Sequence, residues 1–203
     1  LAIAGVATTA AIYAIQKRAT EIRAEVAGKQ FHAVQDAARD YLRDNFSAVH
    51  ADLRATNPLL LDPDGDGESV DDLVDAGYLA QGWASAGPLR TPYGHGYQVW
   101  VRDPVPSDQN VGFEALVVSL GTQDPGPTLN ARAALSAGET AGFVNHLEDP
   151  QIIQGLYGGW TLDVTSFRPA GASAQDVHVA SLLPIATETD CGRHFYRLEI
   201  PGC

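Results

Sequence analysis

Residues 1–54, LAIAGVATTAAIYAIQKRATEIRAEVAGKQFHAVQDAARDYLRDNFSAVHADLR, decide how this chain is read. The first sixteen carry no charge, Lys17 and Arg18 close that stretch, and no proline occurs before Pro58. Gly28 is the only glycine between Lys17 and Arg54. From Ile22 onward apolar residues return in steps of mostly three and four, through Val26, Phe31, Val34, Ala38, Leu42, Phe46, Val49 and Leu53. That spacing is the stripe of an amphipathic helix. The whole segment predicts one helix of about 50 residues, roughly 75–80 Å long at the standard rise. No compact domain of this size buries such a helix along its full length. Residues 1–16 must therefore meet a membrane or other copies of the chain, and residues 17–54 are free to pack on a head.

The apolar front is short for a membrane span. Sixteen helical residues reach about 24 Å, against roughly 30 Å of hydrocarbon. With no methionine even at position 1, the expectation is that Leu1 is not where the mature chain begins. A secretory signal would be preceded by positive charge and end at a cleavage site, whereas this segment runs on into more helix. The front also offers a packing surface through Ile3 and the small residues Gly5, Ala7, Thr9, Ala11 and Ala14. Gly5 with Thr9 and Ala7 with Ala11 stand four apart, the spacing that lets helix backbones approach closely.

Beyond residue 55 the sequence turns to Pro, Gly and Asp. Asn57-Pro58 stops the helix, because the residue before proline is pushed out of the α region. A short helix is expected over residues 69–76, ending at Gly77, and strands over 97–102 and 113–120, antiparallel and joined through the polar loop 103–110. Residues 128–147 have loose helical spacing weakened by Gly138 and Gly142. Further strands are expected over 160–167 and 177–185. A long helix followed by mostly strands makes the class α+β, a long N-terminal helix packed on an antiparallel head. The division is 1–54 for the helix and 55–203 for the head.

The net charge of −12 excludes a nucleic-acid backbone as partner, since phosphate affinity rests on clustered Lys and Arg. The two cysteines, Cys191 and Cys203, stand close together near the chain's last residue. They suggest one disulfide-closed loop in an oxidising compartment, and two free thiols in a cytosolic chain are the alternative. Asp62-Pro63-Asp64-Gly65-Asp66-Gly67 has the oxygen spacing of the front of a calcium loop, with Asp62, Asp64 and Asp66 as candidate ligands. Leu73 holds the place of the closing glutamate, so Glu68, Asp71 or Asp72 would have to complete the shell; the plainer reading is an acidic turn. The six histidines, at 32, 50, 95, 146, 178 and 194, show no ligand spacing and read as surface or core residues. Trp160, after Gly158-Gly159, reads as a packing residue. No residue is assigned a catalytic role.

Taken together, a processed apolar helix start, a continuous amphipathic helix, a β-rich head and a C-terminal cysteine pair resemble the type IV pilins, more narrowly the type IVb and conjugative-pilus forms. Within the head, DYLRDNF (40–46), AGYL (76–79), PYG (92–94), YQVWVR (97–102), EALVV (114–118) and GLYGGW (155–160) are similar, in that order, to the constant N-terminal region of PilV-like shufflon minor pilins. The resemblance implies a subunit anchored in the inner membrane, handled by a pilus assembly machinery, and polymerised with its own copies into an extracellular fimbrium for adhesion or conjugation. It also implies a disulfide at the C-terminus and no enzymatic activity. Two departures stand out. Type IV pilins carry Glu at the fifth mature position, where this chain has Gly5, and the long exchangeable C-terminal segment of the shufflon proteins is absent after Cys203. A structural pilin is expected ahead of a minor pilin or tip adhesin, or of a type II secretion pseudopilin.

Overall fold

A computed structural model describes residues 2–62, 69–83, 91–106 and 112–185, with side chains from Ala11 onward. The chain is α+β: a long N-terminal helix lies along one face of a curled antiparallel sheet. Helix α1 spans Ala2–Asp44 and α2 spans Phe46–Ala55, so the expected single helix is broken once, at Asn45. The break has a local cause. The Asn45 side chain and its backbone N–H both donate to the Tyr41 carbonyl, at 3.0 and 2.9 Å, and Asn45 leaves helical geometry at φ −104°, ψ 19°. Competition of this kind between an Asn side chain and the helix ladder is why Asn is poor in helix interiors. Beyond the kink, α2 lays Val49 and Leu53 on the core and stacks Phe46 on Phe113, with ring centroids 4.9 Å apart.

Among the described residues seven strands follow: β1 Leu59–Leu60, β2 Gly96–Arg102, β3 Phe113–Gly121, β4 Ala141–Val144, β5 Ile152–Gly155, β6 Thr161–Asp163 and β7 Asp176–Ile185. Their order in the sheet is β1-β2-β3-β7-β4-β5-β6, and every pairing is antiparallel. Helix α3, Ser69–Asp75, and helix α4, Pro127–Ala137, join α1 and α2 on one face. Strand alternation divides the core in two. Tyr97, Val99, Val101, Ala115 and Val117 point to the helices, against Phe31, Val34 and Leu42. Trp100, Leu116, Val118 and Leu120 point away, and the sheet curls so that Ile153, Val164 and Phe167 close over them.

The structure places α3 and strands β2, β3 and β7 where the sequence reading expects them. Gly77, at φ +84°, ends α3 with the Gly77 N–H on the Val74 carbonyl and the Tyr78 N–H on that of Leu73, the paired bonds of a Schellman cap. Two expectations are corrected. The loosely helical stretch 128–147 is helix only to Ala137; Gly138 turns the chain at φ +115°, and Phe143 then lies in β4 opposite Val179 and Gln154. The expected strand 160–167 pairs only over Thr161–Asp163, because Asp163 Oδ1 accepts from both the backbone N–H and the hydroxyl of Thr165, at 2.8 and 2.7 Å. That turn winds the next residues into a short 3₁₀ segment, which carries Val164 and Phe167 together into the second core.

Helix α1 is also divided by what it touches. Residues 11–19 are exposed on every side, and contact with the head begins near Thr20, whose carbonyl accepts from the Tyr93 hydroxyl at 3.2 Å. From there Ala24, Ala27, Phe31, Val34, Ala38 and Leu42 are buried. Gly28 sits where α4 crosses: a Cβ there would lie 2.2 Å from the Ala133 carbonyl oxygen and 2.6 Å from Ser136 Cβ. Arg132 of α4 clamps the crossing from outside, 2.7 Å from Glu25 and 3.5 Å from Glu21. Its hydrogen bond to Glu25 holds that carboxyl below its ordinary pKa.

Candidate functional site

Among the described residues, two places carry side chains that the fold itself does not consume. The first is the outer face of α1. The sequence reading has the apolar stripe pack on the head from Ile22, but Ile22 and Val26 are exposed, at 47% and 40%, and the buried face starts instead with Ala24 and Ala27. The cause is the close crossing at Gly28, which accepts only small residues on that side. The exposed apolar positions Ile12, Ile15, Ala19, Ile22 and Val26 are spaced three, four, three and four apart. This is the a/d pattern of a coiled-coil seam. It starts on the projecting half of α1 and continues past the point where the helix meets the head. Ala11 and Ala14 are exposed on the same half, while Ile3, Gly5, Ala7 and Thr9 lie on α1 with side chains outside the description. Among the described residues no helix is long and apolar enough to cross a membrane.

The second place is one end of the sheet, where four separate segments deliver His95, Asp124, His146 and His178. His95 precedes β2, Asp124 follows β3 at the entrance to α4, His146 follows β4, and His178 lies near the start of β7. Antiparallel order makes these ends neighbours: Gly96 pairs with Leu120, and Gly121 pairs with Asp176. His178 occupies a bulge, since Ser119 pairs with Val179 and Leu120 with Val177, leaving His178 as the extra residue. The alternation slips there, so that Val177 faces the second core and Val179 the helix side. A bulge re-aims a side chain, and this one sends His178 toward His95 and His146.

The rings are held from behind. His178 Nε2 lies 3.1 Å from the Gly121 carbonyl and His95 Nε2 2.7 Å from that of Gln123, so each donates from Nε2 and presents Nδ1 unprotonated. The two rings stack at 4.2 Å and 15°. Gly121 is required for this, because a Cβ there would lie 2.2 Å from His95 Cδ2. His146 Nε2 approaches His178 Nδ1 at 3.2 Å, and Asp124 Oδ1 stands 3.7 Å from the same Nδ1. Asp124 Oδ1 is itself fixed by the Gly126 N–H at 2.9 Å and by Asn130 Nδ2 at 3.0 Å. Burial lowers the pKa of His178, with His146 adding to the effect against the pull of the Gly121 hydrogen bond. Burial likewise pushes His95 down to about 4, the Gln123 hydrogen bond opposing it. For Asp124 burial acts upward, but the hydrogen bonds from Gly126 and Asn130 and the adjacent His146 and His178 leave the carboxyl below its usual range. His146, His178 and Asp124 thus bring two imidazoles and one carboxylate together, the donor set of a transition-metal site.

Reading all six histidines as surface or core residues misses this grouping. No local motif announces it, because the three donors are contributed by two loops and a strand bulge 22 to 32 residues apart and meet only through the sheet order. The Asp-Pro-Gly-Pro run at 124–127 before a helical stretch is the one local signal, a carboxylate poised at a turn. Of the calcium ligands expected from the sequence, Asp62 follows β1 and is half-buried, while Asp64 and Asp66 lie outside the described residues, as do Cys191 and Cys203. His50 is buried against Phe46 and 3.8 Å from Asp103, and His32 pairs with Asp36 within its own helix turn. Trp160 lies half-buried against the second core, its ring over Gly155, where a Cβ would come within 2.5 Å of it. No protein-family model, no curated protein and no solved structure matches this chain.

Proposed function

We propose that the chain is a structural subunit of a type IV pilus-like filament, in which α1 packs against the α1 helices of other copies and the acidic head faces outward. The observation that carries this reading is the exposed a/d stripe Ile12, Ile15, Ala19, Ile22 and Val26. A lone monomer gains nothing from such a seam. Heptad-spaced apolar positions are stabilised when a second helix covers them, and burial is non-directional and large in sum. A second copy suits the seam because the stripe runs onto the part of α1 that is already seated on the head. A lipid bilayer would reach the projecting half, but Ile22 and Val26 lie beside Glu21, Glu25 and Arg132, which hydrocarbon would exclude.

On this reading the inner membrane and its pilus assembly machinery hold the front of α1 before polymerisation. The function is self-assembly rather than catalysis, in adhesion or conjugative transfer. Electron microscopy of surface material sheared from cells that make the chain tests this: the expected result is fibres containing the chain in many copies along their length. Its confinement to fibre ends would favour a tip adhesin, and its retention in the periplasm a secretion pseudopilin; either result overturns the proposal.

A further inference from the structure

We infer that Asp124, His146 and His178 form a binding site for one divalent transition-metal ion of the zinc class, at the end of the sheet away from any role the filament reading gives the head. The three donor atoms lie within 4.8 Å of one another, with the His146–His178 edge at 3.2 Å and the His178–Asp124 edge at 3.7 Å. Bonds of about 2.0–2.2 Å in a tetrahedral shell set neighbouring ligand atoms roughly 3.3–3.5 Å apart, so one ion fits among these donors with small side-chain adjustment. The donor set selects the metal. Two imidazoles and a carboxylate suit zinc, cobalt or nickel, whereas calcium takes six to eight oxygens.

The surroundings resemble those of built metal sites. A ligating histidine ordinarily donates its other ring N–H to a carbonyl or carboxylate, which fixes the tautomer and the ring direction. His178 does this through the Gly121 carbonyl. Asp124 is oriented by the Gly126 N–H and by Asn130, a side chain itself almost fully buried. His178 is buried, His146 half-buried and Asp124 exposed, so the inner wall of the site is closed and its outer side opens to solvent. Three protein ligands with one open side leave a position for water or for an outside donor. A bound ion would also tie the β3–α4 loop, the segment after β4 and the β7 bulge together.

The competing arrangement is a simple hydrogen bond in which His146 Nε2–H donates to His178 Nδ1, and it predicts no metal affinity. The test is calorimetric titration of Zn²⁺ into the metal-stripped full chain, paired with the absorption spectrum of the Co²⁺ form. One equivalent is expected to bind, with d–d bands and no thiolate charge-transfer band, and to raise the thermal midpoint by mass action. Millimolar Ca²⁺ should not displace it. His146→Ala and Asp124→Asn, both on the open side of the site, should each weaken binding by at least about tenfold while leaving the near-ultraviolet circular dichroism unchanged. Absence of saturable binding, unchanged affinity in both variants, or a thiolate band placing the ion on Cys191 or Cys203 would each overturn the inference. None of these readouts depends on filament formation.

Discussion

The front and back halves of α1 are one continuous helix with opposite fates. The back half spends its apolar residues on the head: Phe31, Val34 and Leu42 are fully buried among β2, β3 and α4. The front half has comparable side chains, Ile12, Tyr13 and Ile15, at 51%, 69% and 69% exposure. Helix propensity does not separate them. What does is where the head begins, near Thr20, and then size at the crossing point: Ala24, Ala27 and Gly28 let α4 approach, while Ile22 and Val26, one helix face round, are left outside. An apolar residue on a helix says that something will cover it. Which partner does so depends on where the small residues are.

The contrast can be broken at several points. The largest effect belongs to the back half, where Phe31→Ala empties a site in the centre of the helix–sheet core. It should lower the unfolding free energy by about 3–5 kcal/mol, read as a fall in the urea midpoint. Gly28→Val comes next, since its side chain would have to displace the Ala133 carbonyl. A loss of about 1–3 kcal/mol is expected from overpacking, with the α1–α4 contact opening first in hydrogen exchange. The smallest stability effect belongs to the front half: Ile15→Ala should change the unfolding free energy by no more than about 0.5 kcal/mol, although it removes as much apolar surface as many core substitutions. A destabilisation of core size at Ile15 would mean that the projecting half packs on its own head.

Legibility in the sequence divides along the same lines. Helix α1 was legible from its proline-free length and the three-and-four stripe of its back half, and strands β2, β3 and β7 from apolar, β-rich runs of seven residues or more. The four-residue strands β4 and β5 were not. Gly142 and Gly155 dilute their strand signal, yet both are required: a Cβ at Gly142 would meet the Gln154 carbonyl oxygen at 2.6 Å, and Gly155 makes room for Trp160. The kink at Asn45 depends on a side chain choosing the Tyr41 carbonyl, which no periodicity reveals. The histidine cluster was hidden for a further reason, since it depends on sheet order and on a bulge that shifts His178 out of phase. Long-range pairing of this kind leaves no local trace.

The central claim is that other copies of the chain cover the front half of α1. Photo-crosslinking tests it most directly, with a benzophenone side chain placed at Ile15, and at the exposed head residue Leu147 as control, in cells that assemble the protein. The account predicts a ladder of chain-to-chain adducts from position 15 and none of comparable yield from position 147. Adducts from position 15 to lipid alone, or to the chain's own head, would contradict it.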